Sequence, residues 1–137
     1  MEHDEFIGQV QHRARLSSRG EAERATRASL ETLAERIGDG AATNLAAQLP
    51  LEIGEHLRRT TTGESRGEQF GYDEFIDRVV AREEVDRPDS VFHARVVIEV
   101  VDEATTGRLM GKVREQLPDQ FDRLFEAGSQ GQMRRTG

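Results

Sequence analysis

Gln48-Leu49-Pro50 returns as Gln116-Leu117-Pro118, 68 positions further along the chain. A proline excludes the helical conformation for the residue before it and suits the start of a new helix. Each copy therefore reads as a corner, with the leucine pinned into a core and the chain redirected. The same order of signals recurs around both corners, so the sequence reads as two versions of one helical unit.

Upstream, Asp4-Glu5-Phe6-Ile7 returns as Asp73-Glu74-Phe75-Ile76 at an offset of 69. Phe6, Ile7, Val10 and Ala14 fall at helical spacing, as do Phe75, Ile76, Val79 and Val80. Asp4 and Asp73 are expected to accept amide hydrogens at the helix starts, where the dipole also favours negative charge. Ser18-Arg19-Gly20-Glu21 then has the form of a capping box. At offset 68 it is matched by Asp86-Arg87-Pro88-Asp89. The change of offset places a one-residue length difference in the turn between, where indels are tolerated.

The long helices that follow carry stripes at Thr26, Leu30, Leu33 and Ile37, and at Val91, Ala94, Ile98 and Val101. Arg95 to Val101 is rich in β-branched residues, which favour strands. Its length, its cap and its match to the first copy decide for helix. Gly38-Asp39-Gly40 and Thr106-Gly107 end these helices. Short helices with Leu45 and Leu49, or Leu109, Val113 and Leu117, lead to the corners. A last helix buries Ile53 and Leu57, or Phe121, Leu124 and Phe125.

The expected fold is all-α: an internally duplicated helical bundle with about four helices per repeat, packed with pseudo-twofold symmetry as one compact domain. Residues 4–59 form the first repeat, 60–71 a polar linker, 72–127 the second repeat and 128–137 a disordered tail with nothing to bury. Phe70 and Tyr72 are expected to staple the start of the second repeat.

Only 35% of the 137 residues are hydrophobic and 33% are charged, enough for one core when the apolar residues are periodic. A formal net charge of −7 argues against nucleic acid as the main partner and against anionic membranes. All the side-chain ammonium charge rests on Lys112; the other basic residues are arginines. Codon bias in a GC-rich genome and salt adaptation of an acidic surface both account for this. With no cysteine, disulfides and thiolate metal sites are excluded. Met1-Glu2-His3-Asp4-Glu5 is acidic where a signal peptide needs positive charge. No stretch approaches the ~20 apolar residues of a membrane span, and a cytoplasmic location is the expectation.

Taken together, the Asp-Glu-Phe-Ile helix starts, the run Leu30-Glu31-Thr32-Leu33-Ala34-Glu35-Arg36 and the two Gln-Leu-Pro corners resemble the domain of unknown function (DUF) 2267 family. The resemblance covers roughly residues 4 to 127. It implies an all-helical prokaryotic protein with an internal duplication, and brings no established activity, cofactor or catalytic residue. The second copy departs from the pattern at Val96 to Val101 and at Thr105-Thr106.

The chemistry-bearing residues are scattered along the chain. His3, His12, His56 and His93 form no pair on one helix face; Glu52 lies four before His56, with Glu55 adjoining, but a second nearby His is missing. His56 aligns with Leu124 and His93 with Ala25, so the histidines read as surface or boundary groups. Glu31, Glu35, Glu99 and Glu103 recur between copies. Carboxylate di-metal clusters need Glu-x-x-His on inward faces, so these four read as a solvated helix face. Gly38 and Gly40 close a helix rather than open a nucleotide-binding one. Ser17, Ser18 and Ser29 have no nucleophile context. Arg58-Arg59 with Arg66, and Arg134-Arg135, are small basic islands in an acidic protein, so a helix-turn-helix transcriptional regulator, which needs a concentrated positive face, ranks third among the functional readings. Gln48 and Gln116 are expected to satisfy carbonyls at the end of the preceding helix.

No catalytic residue, metal site or cofactor is therefore assigned. The expectation is a non-enzymatic helical module acting through protein–protein interaction or homodimerisation. The alternative is a small-ligand regulatory domain with its pocket between the two repeats.

Overall fold

The computed structural model describes residues 1–59, 67–106 and 108–126. These form α1 (His3–Arg13), α2 (Arg19–Ile37), α3 (Asp39–Gln48), α4 (Leu51–Arg58), α5 (Tyr72–Glu83), α6 (Arg87–Ala104), α7 (Leu109–Glu115) and a terminal 3₁₀ helix, η1 (Asp119–Leu124). The described residues contain no strand, and Arg95 to Val101 is helical throughout. None of the described helices is long and apolar enough to cross a membrane. The linker positions 60–66, Gly107 and the expected tail lie outside the described residues.

Local signals explain several helix ends. Ser18 Oγ accepts from the Glu21 amide at 3.1 Å, and Glu21 Oε1 accepts from the Ser18 amide at 3.1 Å, the reciprocal capping box. Gly38 ends α2 and precedes α3 at φ 88°, where a side chain would be strained. Leu49 and Leu117 are buried, and Pro50 and Pro118 stand immediately before α4 and η1. Asp4 and Asp73 depart from expectation. The N-caps are Glu2 and Gly71 without side-chain cap bonds, so the two aspartates sit inside the first turns, where the dipole favours them, and accept instead from Arg19 at 2.6 Å and Arg87 at 3.4 Å. Gly40 lies in the first turn of α3.

The long helices α2 and α6 form the centre. The first helices cross over: α1 packs on both α2 and α6, and α5 packs on both α2 and α6. Phe6, Phe75 and Phe121 are fully enclosed, each contributing about 1.5–3 kcal/mol. Tyr72 and Phe75 meet Phe121 edge-on with centroids 5.9 and 5.7 Å apart. Phe70 and Tyr72 are buried as expected.

Before α5, residues 67–70 run along the end of α2. The Glu68 amide donates to the Glu35 carbonyl at 2.8 Å, and the buried Arg36 donates Nε to the Phe70 carbonyl at 2.7 Å. A Cβ at Gly67 would collide with the Arg36 carbonyl, so only glycine fits there.

Candidate functional site

The repeated glutamates are not a solvated face. Arg13 of α1 donates to Glu99 at 3.0 Å and to both oxygens of Glu103 at 2.8 and 2.7 Å. Arg82 of α5 donates to Glu35 at 2.9 and 2.6 Å and lies 3.6 Å from Glu31. Each long helix thus takes its countercharge from the first helix of the other chain half. The carboxylates flank the core stripe where α1 and α5 cross, which leaves Glu31, Glu35 and Glu99 partly covered and Glu103 exposed. The Glu103 carboxyl is lowered by its hydrogen bonds from Arg13. Burial pushes Glu35 up, but hydrogen bonds and charge from Arg82 and Arg78 outweigh it and hold the carboxyl low. Among the described residues no group of three or more His, Asp or Glu is placed to share a metal ion.

His93 is also corrected: it is buried, and its Nδ1 meets Glu83, itself buried at the end of α5. Ser90 Oγ donates to the other Glu83 oxygen at 3.2 Å. Positions 14, 22 and 25, their counterparts in the sequence repeat, are all alanine and all buried. Three positions therefore change character together, because a buried carboxylate is tolerated only with partners that satisfy it. His93 alone gives no such signal; its spacing to Ser90 and Glu83 does, once α5 and α6 are known to pack. Of the other histidines, His12 is exposed and His3 and His56 sit at the boundary. Ser29 is buried, and no partner for its Oγ occurs among the described residues.

Gln48 does not cap its own helix. Its Oε1 accepts from the Thr106 amide at 2.7 Å and from the Thr106 hydroxyl at 3.2 Å, tying the first corner to the end of α6. Gln116 is exposed.

The two corners close differently. In the first, α4 packs tightly on α3, and a Cβ built on Gly54 would meet the Ala46 carbonyl at 3.0 Å. At offset 68 these two positions are Arg114 and Asp122, joined by an Arg114 Nε to Asp122 Oδ1 bond of 3.1 Å. A long ion pair replaces contact between small residues. The last turn is accordingly a short 3₁₀ helix, and Phe125 is only partly covered where Leu57, its counterpart, is fully buried.

The space so left is a cleft of about 310 Å³ between α6, α7 and the residues after η1. Its apolar lining is Ile98, Met110, Leu124 and Phe125; Arg95, Glu99, Asp102, Arg114 and Glu126 edge it. Arg95 is engaged by the Arg123 carbonyl at 2.8 Å and by Glu126 at 3.1 Å. Arg114 also lies over the Phe125 ring, 5.4 Å from its centroid. The cleft can enclose an apolar group of one or two large side chains, with charges at its edge to orient it.

Fold and cleft together define an all-α protein with one corner closed and the other open. The DUF2267 family, described as "Uncharacterized conserved protein", matches residues 3–124, and the chain belongs to it. A search of curated proteins finds no match to this chain.

Proposed function

We propose that this chain is a non-enzymatic helical module, built by duplication with pseudo-twofold packing, that acts through protein–protein contact at the cleft over Met110 and Phe125. The duplication is supported by the braces: Arg13 with Glu99 and Glu103, and Arg82 with Glu31 and Glu35, stand at matching positions of the sequence repeat. The single observation that carries the functional reading is the unequal closure of the corners, Gly54 on Ala46 against Asp122 with Arg114. An apolar anchor of a partner, or of a second copy of the chain, covers Phe125 in the second corner as the first corner covers its counterpart Leu57. Anchors in such pockets dominate binding energy.

The chain has no cysteine, so Gly111→Cys, at a position with open space for a side chain, gives a unique attachment point beside the cleft. A photo-crosslinker there should trap a defined partner or a second copy, and the adduct should be lost with Phe125→Asp. The same reagent attached through Gly8→Cys on α1 should trap neither. Equal labelling from both positions, or none from either, rejects the reading.

The cleft volume also favours a second reading, a small-molecule ligand, since such sites begin at about 300 Å³. The cleft lies within residues 95–126 rather than between the repeats. A ligand-dependent rise in melting temperature separates this reading from the first.

A further inference from the structure

Many of the described arginines are engaged by carboxylates or carbonyls, among them Arg13, Arg36, Arg78, Arg82 and Arg95. Arg24 and Arg27, one turn apart on α2, are exposed and meet no carboxylate among the described residues. Both line a groove between α1, α2 and α4 that also holds His3, Glu52, His56 and Arg59.

The sequence offset shows why Arg27 stands alone. Its counterpart is Arg95, which pairs with Glu126 at 3.1 Å. The counterpart of Glu126 is Arg58, so a charge reversal removes the partner. Two further groove positions change character: Arg24 corresponds to Phe92 and His56 to Leu124. The first half therefore carries ionisable groups at two positions that are apolar in the second.

His56 is fixed in one form by its neighbour. Arg59 Nη2 lies 3.0 Å from His56 Nδ1. A guanidinium only donates, so Nδ1 is the acceptor and the ring is neutral with its proton on Nε2.

We propose that this groove is a binding site for a small anion, a phosphate ester or a carboxylate, held by the Arg24 and Arg27 guanidiniums with His56 Nε2–H as a neutral donor. Guanidiniums match the oxygens of both groups with paired donors. Glu23, Glu52 and Glu55 also line the groove. Glu23 lies 3.4 Å from Arg19 and Glu55 3.4 Å from Arg58. Glu52 limits affinity and sets the site against bulky polyanions. The field agrees with this assignment. Burial, then the charges of Arg59 and Arg27, hold the His56 imidazole down to about 4, against a smaller opposing effect of Glu23. An anion seated among these arginines offsets that field and moves the imidazole back up.

The test follows the His56 ring by NMR in the intact chain, its signals identified by their loss in His56→Gln. At pH 7, inorganic phosphate and acetate are each titrated against sodium chloride at matched ionic strength. Saturable shifts are expected with at least one of them; phosphate ahead of acetate assigns a phosphate ester, and the reverse a carboxylate. Arg27→Gln should weaken binding roughly tenfold, about one charge-assisted hydrogen bond, and Glu52→Gln should tighten it. With the tighter anion bound, the His56 titration should move upward. Shifts that follow ionic strength alone, or an affinity unchanged in both Arg27→Gln and Arg24→Gln, overturn the proposal. The groove is separate from the cleft, so neither result bears on that reading.

Discussion

Arg13 and Glu103, ninety residues apart in sequence, meet through two hydrogen bonds of 2.8 and 2.7 Å. Arg82 and Glu35 make the same fork at 2.9 and 2.6 Å. Such planar pairing is the strongest that surface arginines form, but partial exposure screens it. In a double-mutant cycle Arg82→Gln with Glu35→Gln should show a coupling of about 1 kcal/mol. The coupling for Arg13→Gln with Glu103→Gln should be smaller, because Glu103 is the more exposed carboxylate. Urea denaturation measures both, and a coupling near zero for the Arg82 pair would show that the braces only decorate the fold.

Stability should fall in acid in two stages. His56, held down to about 4, binds fewer protons folded than unfolded between about 4 and its ordinary value near 6.5. Its neutral form therefore stabilises the fold at pH 7, and that contribution is lost as pH falls through this window. Glu35 and Glu103 are lowered in the fold, so their contribution is present above the ordinary carboxylate range and is lost as pH falls below it. Thermal melts against pH should show both stages, and His56→Gln should remove the first. A first stage that survives this substitution assigns it to another group.

Glu83 and His93 are expected to depend on each other. Losing one partner leaves the other buried without its complement, at a cost of about 3–5 kcal/mol. Glu83→Gln and His93→Ala should each be strongly destabilising, and the double variant much less so than their sum. Additive losses in denaturant would mean that each contributes through packing alone.

Gly54 and Asp122 occupy matching positions with opposite tolerance. Gly54→Ala forces a methyl to 3.0 Å from the Ala46 carbonyl, and overpacking of this kind costs about 1–3 kcal/mol. Asp122→Ala breaks only an exposed ion pair with Arg114 and should cost less than about 1 kcal/mol. Calorimetry on the two variants checks this order, and the reverse order would place the rigid corner in the second half.

Much of the fold is legible because it is written in short-range chemistry. The Ser18–Glu21 box, the prolines after Leu49 and Leu117, and the stripe containing Leu30 and Leu33 each depend on residues within one or two helical turns. The functional surfaces are less so, because they depend on which helices meet. Arg13 recurs as Arg82, and Glu35 as Glu103, so the ingredients of the braces are visible in the chain. That each arginine reaches across to the other half is not, since spacing alone does not say how α1 and α5 cross. The same holds for Gln48, which finds Thr106 instead of its own helix end, and for His93, whose burial is set by Glu83. The open cleft is the instructive case: Arg114 and Asp122 are legible as a change from Ala46 and Gly54, but only packing shows that the change opens space.

The crossing braces also bear on how the chain comes to be folded. Each joins segments far apart in sequence, so neither half completes its charge pattern by itself. Contacts of such long range form only after the chain has closed large loops. A ribosome releasing α1 to α4 exposes Glu31 and Glu35 before Arg82 exists to meet them, and the core of α2 before α5 arrives to cover it. The two halves of the chain thus complete each other: neither Glu31 and Glu35 nor Glu99 and Glu103 meet their crossing arginine until the other half is in place.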